Sequence, residues 1–75
     1  MNNNRRKRLQ AIARDLQTWR DILQDITDEE TESRDNIPEN LQGSERYELA
    51  EQNCDNLESA LSSLDEALAY LEQIE

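Results

Sequence analysis

The stretch from Tyr47 to Ile74 constrains the fold more than any other. Taking every third or fourth residue gives Tyr47, Ala50, Cys54, Leu57, Leu61, Leu64, Leu68 and Leu71, an unbroken 3-4 spacing. Ala60, Ala67 and Ile74 widen the stripe on one side. This spacing aligns the side chains along one face of a helix, because residues three and four apart are neighbours on the helical surface. At about 1.5 Å per residue the helix is roughly 40 Å long. The rest of the chain must cover that face.

A second stripe of the same kind precedes it. Leu9, Ile12, Leu16, Trp19, Leu23 and Ile26 repeat the 3-4 spacing, with Ala13 and Ile22 beside them. They predict a first amphipathic helix. Trp19, its largest apolar side chain, is expected to fill the seam with its ring N–H at the edge. Beyond Ile26 the stripe positions become Glu30 and Ser33, and Ile37 restores an apolar residue. Two readings are open. The helix continues to about Arg34 with a polar patch opposite Ala50 and Cys54, or Thr27 and Glu30 form a capping box that breaks it. The matching lengths of the two stripes favour continuity.

The connector is Asp35-Asn36-Ile37-Pro38-Glu39-Asn40-Leu41-Gln42-Gly43-Ser44. Ile37 precedes a proline and is driven out of helical geometry. Pro38 opens a short turn, Pro38 to Gln42, and Gly43 is expected to end it in a left-handed conformation. Ser44 is a favourable N-cap for the second helix. A loop this short makes the helices antiparallel. The expected organisation is one all-α domain over residues 1–75, a coiled-coil-like hairpin with helices over about 5–34 and 45–74 and a linker over about 35–44. Residues whose numbers sum to roughly 84 then lie opposite one another. This pairs Leu23 with Leu61, Trp19 with Leu64, Leu16 with Leu68 and Ile12 with Leu71. The expected core comprises Leu9, Ile12, Leu16, Trp19, Leu23 and Ile26 from the first helix and Leu57, Leu61, Leu64, Leu68 and Leu71 from the second.

Two helices alone bury one seam, and 75 residues make a small core. Self-association into a homodimeric four-helix bundle is therefore expected, covering Ala13, Ile22, Ala60, Ala67 and Ile74. The formal charge of −10 is unevenly spread. Residues 1–26 carry Arg5, Arg6, Lys7, Arg8, Arg14 and Arg20 against Asp15, Asp21 and Asp25, a balance of +3. Residues 27–75 carry Arg34 and Arg46 against fifteen acids, a balance of −13. In the antiparallel hairpin the basic cluster Arg5 to Arg8 is expected beside Glu72 and Glu75. The single cysteine, Cys54, lies in the apolar stripe and reads as a small buried hydrophobe. No run resembles a signal peptide or a membrane span, so a cytoplasmic location is expected.

The connector also carries a resemblance. Asp35-Asn36-x-Pro38-Glu39-x-x-Gln42-x-Ser44-Glu45, between a basic first helix and an acidic second helix with Leu57-Glu58-Ser59-Ala60 and Asp65-Glu66-Ala67-Leu68 repeats, resembles short phage- and prophage-encoded helical-hairpin proteins. The resemblance covers nearly the whole chain. It implies a phage or prophage origin, a host bacterial cytoplasm as location and a small helical hairpin. It supplies no catalytic residues.

The chemistry available narrows the function classes. There is no histidine, and one cysteine without a histidine makes a poor nucleophile, so no enzyme and no cofactor are expected. Glu29-x-x-Glu32 and Glu48-x-x-Glu51 are spacings that an acid-rich chain produces by chance, and no metal site is assigned to them. Arg5 to Arg8 could hold a phosphate backbone, but the strongly acidic whole disfavours nucleic acid. Two readings of different class stand. One is a protein–protein interaction module, with itself and an unknown protein as partners. The other is an acidic mimic of DNA that inhibits a host or defence nucleic-acid-binding protein, with Asp55, Glu58, Asp65 and Glu66 as its surface. Duplex DNA carries about one charge per 1.7 Å of axis, and the acidic half of a dimer approaches that density.

Overall fold

The computed structural model describes residues 1–75 as a helical hairpin, 59 Å long and 15 by 13 Å across. Helix α1 spans Asn3–Asp35 and helix α2 spans Glu45–Glu72. A single 3-10 turn, Glu39–Leu41, lies between them. Helix α1 runs unbroken through Thr27–Glu30, so no capping box forms there. The Thr27 hydroxyl instead donates to the Leu23 carbonyl at 2.8 Å, within its own helix.

The local signals act where the chain places them. Asn2 caps α1, its Oδ1 accepting from the Arg5 N–H at 2.8 Å, and Ser44 caps α2, its Oγ accepting from the Tyr47 N–H at 3.3 Å. Each satisfies one of the donors a helix start leaves open. Pro38 is extended and precedes the 3-10 turn. Gly43 differs from expectation, since its φ is not positive. The turn closes through backbone bonds from Gln42 to Glu39 and from Ser44 to Leu41, and needs no left-handed residue. Ile37 is buried and closes the turn end, whereas Leu41 points to solvent.

The antiparallel register is the one the stripes predict. Arg20 meets Asp65 and Thr31 meets Cys54, and both pairs sum to 85. On α2 the whole stripe Tyr47, Ala50, Cys54, Leu57, Leu61, Leu64, Leu68 and Leu71 is buried or half-buried. Cys54 is wholly enclosed.

Helix α1 departs from expectation. Leu9, Leu16 and Leu23 are half-buried in the seam, but Ile12, Trp19 and Ile26 are exposed, Trp19 to 66%. Ala13, Arg20 and Thr27 occupy the seam in their place, continued by Thr31 and Arg34. The helix is turned by about 50°, one heptad position, about the shared Leu9–Leu16–Leu23 line. Two physical reasons support this phase. Arg20 forms a two-pronged bond to Asp65 of α2, Nε to Oδ1 at 2.7 Å and Nη2 to Oδ2 at 3.1 Å, the strong planar geometry for such a pair. Small Ala13 and Thr27 also fit opposite the leucines of α2, where an indole would hold two helices apart. No buried side-chain polar atom lacks a partner in the arrangement.

Candidate functional site: an exposed apolar flank

The rotation of α1 creates the most unusual surface of the molecule. In heptad terms Ala13, Arg20 and Thr27 are the a positions of α1, and Ile12, Trp19 and Ile26 are the g positions. In α2, Cys54, Leu61 and Leu68 are a positions, and Ala60, Ala67 and Ile74 are g positions. When two helices run antiparallel, their g positions border the same side of the seam and their e positions border the other. The structure follows this rule. Arg20 reaches Asp65 and Thr31 reaches Cys54 on the e side. On the g side, Glu30 and Ser33 share one hollow with Arg46, Leu49 and Asn53.

One side of the hairpin thus carries Ile12, Trp19, Ile22 and Ile26 from α1, all exposed. Beside them, from α2, stand Ala60, Ala67, Tyr70 and Ile74, also exposed. These residues run from the end of the hairpin that holds the chain termini to just past its middle. Large contiguous apolar patches on a folded surface mark contact sites. The opposite, e side is polar, with Gln17 and Gln24 from α1 and Glu51, Glu58 and Asp65 from α2. The sequence placed Ala60, Ala67, Ile74 and Ile22 on a flank, and there they stand. It placed Ala13 there too, whereas Ala13 lines the seam.

The basic cluster lies beside the C-terminal end of α2 as expected, with Arg6 and Glu72 lining one hollow. Arg6 Nη2 donates to the Glu75 backbone carbonyl at 3.1 Å, but no side chain of the basic cluster pairs with Glu72 or Glu75. Arg5, Lys7 and Arg8 make no ion pair within the hairpin, whose four salt bridges involve only Arg14, Arg20 and Arg34. Of the acidic candidates, Asp55, Glu58 and Glu66 are exposed and unpaired. Asp65 is held by Arg20, whose hydrogen bonds pull its carboxyl below the usual value of 3.8 and raise the guanidinium in turn. At the turn end, the Asp35 carboxylate 3.1 Å away raises Arg34, and partial burial raises the Tyr47 phenol.

No group of three or more acidic or thiol side chains converges in a way that could hold a metal ion. The Cys54 thiol is enclosed and accepts a long contact, 3.9 Å, from the Thr31 hydroxyl. No helix is long and apolar enough to cross a membrane. No family model, curated protein or solved structure matches the chain.

Proposed function

We propose that this chain is a non-enzymatic protein–protein interaction module of phage or prophage type, acting in the bacterial cytoplasm as a homodimeric four-helix bundle. The observation that carries the reading is the exposed flank of Ile12, Trp19, Ile22 and Ile26 beside Ala60, Ala67, Tyr70 and Ile74. A monomer with an intact seam would hold these groups in water, and burying an Ile or Trp side chain in an interface stabilises by about 1.5–3 kcal/mol each before association entropy is subtracted. With the flank covered by a second copy, the acidic outer faces are left for a further protein. Light scattering across a dilution series tests the reading. A stable mass near twice 8.8 kDa is expected. A monomer at every concentration would end it.

A second reading, a DNA mimic or inhibitor of a nucleic-acid-binding protein, draws support from the turn half. Residues 27–58 carry eleven acids against Arg34 and Arg46, and Asp55 and Glu58 stand exposed there. Reversing Asp55, Glu58 and Glu66 to Lys should abolish such inhibition and spare the fold, with Asp65 left intact because Arg20 needs it. A folded variant that still inhibits would dispose of this reading.

A further inference from the structure

Two orientations of a second hairpin cover the flank. In one, the turns lie at the same end and α1 packs beside α2 of the partner. In the other, the hairpins run in opposite directions, α1 packs beside its own copy and α2 beside its own copy. Both bury the apolar groups. The distribution of charge and the order of residues along α1 separate them.

We infer that the second copy docks in the opposed orientation, on a two-fold axis that passes through Trp19. This rests on the dimer reading above and adds to it the geometry of the interface. Trp19 stands at the midpoint of Asn3–Asp35, so pairing about it overlaps α1 along its full length. Residues whose numbers sum to 38 then face each other across the axis. Ile12 faces Ile26, Trp19 faces itself and Arg8 faces Glu30. Arg8 and Ile12 border one hollow on this side of the hairpin, and Glu30 lines the groove on the same side nearer the turn. Along this side α1 reads basic, apolar, acidic, which is self-complementary only when reversed.

Arg8 and Glu30 make no ion pair within the hairpin. Each therefore has a charge free for the partner. The rival orientation sets two turn halves side by side, each with eleven acids against two arginines. At separations near a Debye length of about 8–10 Å that repulsion is only partly screened.

Distances between turns decide the matter. A spin label on Gly43→Cys, in a Cys54→Ala background, sits where a Cβ meets nothing within 4 Å. Circular dichroism confirms that the variant stays helical, and light scattering reports its mass. In the opposed dimer the helical rise puts the two labels about 55 Å apart. A dimer with labels about 10–20 Å apart, the spacing of neighbouring helices, would overturn the inference and leave the dimer reading intact. A monomer or any larger assembly would overturn it as well, and the monomer would take the dimer reading with it. A charge swap gives an independent check. Arg8→Glu should weaken the dimer by about three- to tenfold, and adding Glu30→Arg should restore it. Absence of rescue would remove the Arg8–Glu30 pairing and with it the register.

Discussion

The two halves of the hairpin are built on different terms. In the half nearer the termini, Leu61 and Leu68 are buried among half-buried Leu9, Leu16, Leu23, Leu64 and Leu71, and the flank outside them is apolar. Nearer the turn, the seam is Thr27, Glu30, Thr31 and Arg34 against Tyr47, Ala50, Cys54 and Leu57, and the surroundings are acidic. The first half gains its stability from leucine packing. The second holds the same register with fewer leucines, a hydroxyl bonded back to its own helix and Ile37 as a plug. One half is thus able to bind by burial, while the other presents charge.

The contrast can be broken first in the leucine half. Leu61→Ala or Leu68→Ala should cost about 2–5 kcal/mol, the range for truncating a buried leucine, read as a lowered midpoint in thermal melts. Variants that melt with the parent would show that the leucines are not what holds the hairpin. Trp19→Glu probes the flank rather than the seam. It should abolish the dimer while leaving helix content unchanged at high concentration, because Trp19 is 66% exposed on the hairpin itself. Loss of helix on that change would mean that the seam requires the ring after all.

Smaller changes sharpen the comparison. Ser44→Ala removes the cap of α2 and should cost about 1 kcal/mol, seen as a lower melting temperature. The Arg20–Asp65 pair ties the leucine half to acid. The folded carboxyl of Asp65 lies below its unfolded value of 3.8, so its contribution is complete above that value and is lost as pH falls through the folded one. Asp65→Asn should flatten this acid limb of the stability curve, and an unchanged limb would place the effect elsewhere. Gly43→Ala should be neutral or stabilise by up to about 1 kcal/mol, since the site is open and φ is not positive. A destabilised Gly43→Ala would show that the turn needs the glycine.

Much of this architecture was legible in the residues. The 3-4 spacing of Tyr47 to Leu71 marks α2 and its buried face, since a helix turned any other way would bury Glu and Asp. Ser44 and Pro38 mark the turn, and a connector of that length leaves only an antiparallel return. The flank was partly legible in Ala60, Ala67 and Ile74.

What the residues alone left undetermined is the phase of α1. Its apolar positions form a band wider than a two-helix seam can cover, so either Ile12, Trp19 and Ile26 or Ala13, Arg20 and Thr27 can accompany the leucines inward. Hydrophobicity argues for the first set, and a stripe read along one helix contains nothing else. The tertiary structure chose the second because Asp65 stands across the seam from Arg20 and because small residues let the helices approach. Those are properties of the pair of helices, and they come into being only when the two meet.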